Sequence, residues 1–165
     1  MPATYEPIAT QTLGSSTLTI TFSSIPSTYT DLQIVWSTKI SGTFNNFVQF
    51  NGDTGTNYSW TRLVGNGSTA SSAAATSVSN GCYVGIGANS GTPTLMQISV
   101  FNYAGSTNKT TLSRYGSDNN GSGASGAAVG LWRNTAAINS ITLLNNGSDP
   151  QQAGTTVTLY GIKAA

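Results

Sequence analysis

Thr17-Leu18-Thr19-Ile20-Thr21-Phe22 alternates apolar and polar residues with a period of two, and that alternation decides the fold class. In an extended chain successive side chains point to opposite faces, so Leu18, Ile20 and Phe22 share one face and the threonines the other. One face is read as core and the other as solvent-facing. The pattern returns in Leu32, Ile34 and Trp36, on a strand ending near Lys39, where Val35 on the opposite face predicts partial cover on both sides.

Working outward, further strands are predicted over 47–51, 58–64, 82–87, 95–103, 109–115, 128–133, 138–144 and 155–162. In the 95–103 run Met96, Ile98 and Val100 alternate with Leu95, Gln97, Ser99 and Phe101. Turn formers separate these runs: Ile25-Pro26-Ser27-Thr28, Asn51-Gly52-Asp53, Asn66-Gly67, Asn89-Ser90-Gly91, Asn119-Asn120-Gly121 and Asn145-Asn146-Gly147. Asparagine and glycine both tolerate the positive φ of tight β turns. No segment carries a helical period. The expected architecture is all-β, an antiparallel β-sandwich of jelly-roll-like form. A single domain is expected over 15–165, with 1–14 as an extended N-terminal arm or a first strand. Two small-residue stretches stand apart: 68–80 is read as a surface loop, ahead of an extended edge or one helical turn around 73–75, and 121–127 as either a flexible tip or a closely packed site.

The 165 residues suffice for one core that buries about 70% of the unfolded surface. Only 7% are charged, against roughly 25% in an ordinary domain, and the net charge is +1. Nucleic-acid binding is not expected, because the six basic residues (Lys39, Arg62, Lys109, Arg114, Arg133, Lys163) are scattered singly. No apolar stretch approaches the roughly 20 residues that span a membrane, and the first residues carry no signal-peptide pattern. Solubility falls to Ser, Thr, Asn and Gly, which hydrate well without repelling neighbouring copies. Cys82 stands alone, so no internal disulfide forms, and it is read as a buried inert thiol.

Chemistry is sparse. The chain has no histidine, which removes the usual general base, the commonest metal ligand and any Ser-His-Asp triad. The five acids Glu6, Asp31, Asp53, Asp118 and Asp149 show no spacing suggestive of a two-carboxylate hydrolase. Residues 51–57 look like an oxygen-rich calcium loop, yet hold one acid where such loops need several, so a turn held by Asp and Asn side chains is expected. Residues 85–91 lack the glycine spacing and following helix of a phosphate cradle. No metal, cofactor or catalytic residue is expected. Tyr58, Trp60, Tyr103 and Trp132 are the candidates for recognition, as rings that stack on a sugar or meet a partner, with core packing as the competing role.

Natural sheets guard their edges with Lys, Glu or Pro, and the predicted strands hold almost none. A homo-oligomer, with a trimer as the expected state, or docking on a larger assembly follows as the expectation. The phrases at 21–32, 50–59, 102–109 (Asn-Tyr-Ala-Gly-Ser-Thr-Asn-Lys), 130–138 (Gly-Leu-Trp-Arg-Asn-Thr-Ala-Ala-Ile) and 159–163 (Leu-Tyr-Gly-Ile-Lys) resemble a family of small virion structural proteins of tailed bacteriophages. The resemblance spans nearly the whole chain and carries no catalytic residues. It implies a non-enzymatic protein made in the host cytoplasm and placed in the virion, with the major capsid protein or other virion proteins as partners. Two roles are implied: capsid decoration on the outer shell, with the segment 1–13 gripping a neighbour, or a tail-fibre module that reads host glycan.

Overall fold

The computed structural model describes residues 4–87, 92–118, 120–147 and 149–163, and among them finds twelve strands and no helix. Two antiparallel sheets pack as a β-sandwich. The strands are β1 (Tyr5–Thr12), β2 (Thr19–Phe22), β3 (Asp31–Thr38), β4 (Phe44–Phe50), β5 (Tyr58–Gly65), β6 (Ala70–Val78), β7 (Cys82–Gly87), β8 (Thr94–Phe101), β9 (Lys109–Ser117), β10 (Ala124–Trp132), β11 (Ile141–Asn145) and β12 (Thr156–Ile162). The large sheet runs β1-β12-β3-β8-β9-β10-β5-β6 and the small one β2-β11-β4-β7. The turns at 89–91 and at Asn119, and the start of the expected arm, lie outside the described residues.

The alternation that predicted the strands also builds the core. Leu32, Ile34 and Trp36 on β3 face Met96, Ile98 and Val100 on β8 in register, and all six are buried. Ile20 and Phe22 on β2 meet Leu143 and Ile141 on β11, which pair in turn with Val48 and Phe50 on β4. These inward faces close on one another and leave 25 buried side chains in one cluster. The inner surface is tight where β7 crosses β9 and β10. A Cβ on Gly130 would stand 2.6 Å from Cys82 Cβ, so only glycine lets β10 pass beneath β7.

Four expectations need correction. Leu18 precedes β2 rather than joining it, and is exposed. Val35 is not covered on both sides; it is 45% exposed, on the face of β3 away from the core. The stretch 68–80 is mostly strand: β6 pairs with β5 from Ala70↔Gly65 to Val78↔Tyr58. Alanine and serine have little β preference of their own, so the imposed register of β5 overrides local propensity. In 121–127 only the flexible-tip alternative is corrected: β10 begins at Ala124 in register with β9 and β5, and the closely packed alternative holds, since a Cβ on Gly126 would collide with Leu63 O and one on Gly123 with Ser117 O. The segment read as an arm or first strand lies along β12 as β1, with a register shift between Pro7 and Ala9.

Turn chemistry follows the sequence. Asn51 and Gly52 both take positive φ, at 53° and 66°, and close the bend after β4. Asn51 is then tied across the sandwich: its Nδ2 donates to Ala137 O at 2.8 Å, and its Oδ1 accepts from the Asn139 and Ser140 amides.

Candidate functional site: the outer face of the large sheet

Side chains on the large sheet that do not enter the core form one continuous face. Register places Gln33, Ser99, Leu112, Val129, Thr61 and Ala74 in one row across six strands. The adjacent row is Val35, Gln97, Arg114, Ala127, Leu63 and Ser72. Leu95 and Phe101 stand at the two ends of β8. Leu63 is 63% exposed, Leu95 61%, Leu112 51% and Val129 45%. Among the described residues, seven of the eight exposed large apolar side chains lie here, and Leu18 is the eighth. Solvated sheet faces ordinarily alternate polar residues outward, and this face departs from that pattern.

Charge on this face is nearly absent. Within the strands Arg114 is its one basic side chain, and its Nε donates to Gln97 Oε1 at 2.7 Å. Asp31, at the start of β3, is the one acid within its strands and accepts the Asn102 amide at 2.7 Å; Asp118 follows β9 and lines a depression at the rim. Gln33 is buried flat against the sheet: its Nε2 donates to Ile98 O, and its Oε1 accepts from the Ser99 hydroxyl at 2.9 Å. Five open depressions of 400 to 530 Å³ are lined from this face, among them one under Val35, Leu95 and Arg114 and one between Thr61, Ala74 and Val129. Such a surface offers broad apolar contact with few directional groups.

The aromatic candidates lie elsewhere. Tyr58, Tyr103 and Trp132 are fully buried, so none presents a ring to a sugar or a partner, and the recognition role is corrected to core packing. Tyr58 and Trp132 come together, with ring centroids 6.4 Å apart and nearly parallel planes, and Phe50 packs 5.5 Å from Trp132. Trp132 Nε1 donates to Asp53 Oδ2 at 2.7 Å, while Gly55 N and Asn57 Nδ2 also donate to that carboxylate. The Trp132 bond, ahead of the Asn57 and Gly55 bonds, holds the Asp53 carboxyl below the usual range, against a smaller opposing effect of burial. The 51–57 segment is thus a turn whose single carboxylate is already in use. Burial pushes the Tyr58 hydroxyl up; its O–H donates to Asp53 O at 3.0 Å. Tyr103 donates to Pro26 O and pins the 25–29 turn.

Trp60 is only half-buried and joins a different ring group, 5.3 Å from Tyr83, with the Arg62 guanidinium above both rings. Cys82 is fully buried, and burial raises its thiol to about 12, the behaviour of an inert thiol. Lys109 is buried too, with its ammonium donating to the carbonyls of Gly105, Thr107 and Thr135, and burial lowers its pKa. It laces the 102–108 and 133–140 loops together. Among the described residues no group of three His, Cys, Asp or Glu stands close enough to hold a metal ion.

The outer-face residues were missed by reading only one phase of each strand. Leu95 and Phe101 alternate with an already apolar set, and that double apolarity was the available signal. Compared with protein-family models, with curated proteins and with solved structures, the chain matches none.

Proposed function

We propose that the chain is a non-enzymatic structural component of a tailed-bacteriophage particle, a capsid decoration protein that docks on the outer shell through the outer face of its large sheet. The exposed side chains of Leu63, Leu95, Leu112 and Val129, spread over neighbouring rows of this face, carry this reading, because an apolar surface whose strands hold one basic and one acidic side chain fits a partner without electrostatic steering. The phage assignment is supported by the five phrases that resemble virion structural proteins. Its partners in that setting are the major capsid protein and further copies of itself, and its location is the virion. We also read the winding as jelly-roll-like, supported by strand order: β2-β11-β4-β7 opposes β3, β8, β5 and β6, with the β9–β10 hairpin inserted between β8 and β5. The fibre role depended on a glycan-binding aromatic platform, and three of its four rings are inside the core.

The test is to add purified chain to particles stripped of their decoration and to weigh what is bound. Hundreds of copies per particle are expected, falling to background for the Leu112→Ser, Val129→Ser double variant. A few copies per particle, or full binding by the double variant, overturns the proposal.

A further inference from the structure

The two edges of the large sheet are built differently, and the difference selects a partner. At one edge, β1 carries Pro7, which has no N–H to offer, and a register shift beside it. Glu6 on the same strand is ion-paired to Lys163 at 3.0 Å and accepts from the Tyr29 hydroxyl. These are the devices by which natural sheets refuse another strand. At the other edge, β6 has no proline and no charged side chain, and its register shift against β5 falls only at its far end, between Ala75 and Val78. Its sequence, Ala-Ser-Ser-Ala-Ala-Ala-Thr-Ser-Val, holds no charge, no proline and no large side chain before Val78, and it packs chiefly on β5. The edges of the small sheet are less available. β2 is four residues long and its Thr21 carbonyl already accepts from Gln11 Nε2, while β7 lies against β5, β9 and β10.

We infer that β6 is a strand-addition site whose occupant is β6 of a second copy, paired antiparallel about a two-fold axis near Ala73 to make one continuous sheet of sixteen strands. Three observations choose this occupant. An uncharged strand meets its own image without like charges opposite one another. The small side chains at 70–76 let two identical edges approach to strand spacing, about 4.8 Å, with no clash on either face. Closed rings such as a trimer, and open filaments, use head-to-tail contacts, which here would bring β6 of one copy to β1 of the next; the defended β1 refuses that pairing. An isologous pair is what remains. Ser77, at φ 53°, ends the regular stretch and limits the pairing to about seven residues.

This inference concerns self-association and goes beyond the docking role, so the two fail separately. The experiment places single cysteines at 71 to 75 and, as a control, at Thr10 on β1, and oxidises each purified chain; Cys82 is fully buried and does not compete. Disulfide-linked dimer is expected with one maximum near Ala73 and none at Thr10. In parallel, Ala73→Lys is expected to weaken the dimer seen by sedimentation about tenfold or more, with the melting temperature of the monomer unchanged. A monomer at high concentration, a trimer indifferent to Ala73→Lys, or cross-linking equal at every position overturns the two-fold pairing and leaves shell binding to stand or fall by its own test. If Ala73→Lys unfolds the chain, Ser72→Lys, on the outer face of the same strand, replaces it with the same expectation.

Discussion

The inner and outer faces of the large sheet are made by the same strands, yet β9 inverts the usual allocation between them. Inward it places Lys109, Thr111 and Ser113 before Tyr115, all buried; outward it places Leu112, half exposed. A reading of Thr-Thr-Leu-Ser-Arg that trusts hydrophobicity alone turns the strand over. Register prevents this, because β8 and β10 flank β9 and fix its phase at every residue. Local space explains part of the polar interior: on β10 a Cβ at Gly130 would meet Thr111 and Cys82, and one at Gly126 would meet Tyr115 and Leu63 O, so small residues stand opposite the polar stretch of β9 before Trp132. The lesson is that burial here is assigned by what packs overhead, so that polar residues enter the core of β9 while an apolar one is left outside it.

The contrast between faces is broken most severely at Trp132. Trp132→Ala removes a fully buried ring stacked on Tyr58 and Phe50 and strips Asp53 of its strongest hydrogen bond. The expected loss is about 3–5 kcal/mol, read as a fall in the urea midpoint with an unchanged slope. A loss below about 1 kcal/mol would mean that this end of the core is not packed as described.

Next in size is Lys109→Met. The thioether keeps the bulk but leaves three carbonyls without their donor, at an expected cost of about 1–3 kcal/mol. Neutral stability for this variant would show that the polar inner face of β9 is incidental.

Leu112→Ser and Val129→Ser sharpen the comparison from the other side. Each is expected to change stability by less than about 0.5 kcal/mol, because both side chains are about half exposed in the free chain, while shell binding is lost. Were Leu112→Ser as damaging as Trp132→Ala, the outer face would be core by another name.

How much of this was legible follows from the same physics. Period-two alternation located ten of the strands, and β7 to the residue, because Cys82–Gly87 is bounded by glycines at a crowded crossing. It passed over β6, since Ala-Ser-Ser-Ala-Ala-Ala carries neither alternation nor β preference and becomes a strand only because β5 offers it a ladder. It misjudged Val35 and Leu18 for a shared reason: periodicity reports that a residue is apolar, not that anything covers it. Tyr58, Trp132 and Tyr103 were visible as large rings, but their placement needed the sandwich to close first.

The smallest expected effect is that of pH between about 5.5 and 8.5, where stability and shell binding should both be flat, since the chain has no histidine. The flanks have definite signs. Asp53 is held below its ordinary value by Trp132, and Glu6 by Lys163, so the stability they contribute is present above the ordinary carboxylate range and is lost as pH falls below that range through their lowered values. On the alkaline side burial raises Cys82 to about 12 and also raises Tyr58, Tyr83, Tyr103 and Tyr115, so the unfolded chain releases these protons from about pH 9–10 while the folded chain keeps them. Stability therefore falls as pH rises there. Tyr29 is raised as well, by burial first and by Glu6, and Lys109, whose pKa burial lowers, pulls the other way, one group against six. Melting curves recorded from pH 3 to 11 test all three regions, and a shift of many degrees inside the central window would reveal a titrating group that neither face of the sheet contains.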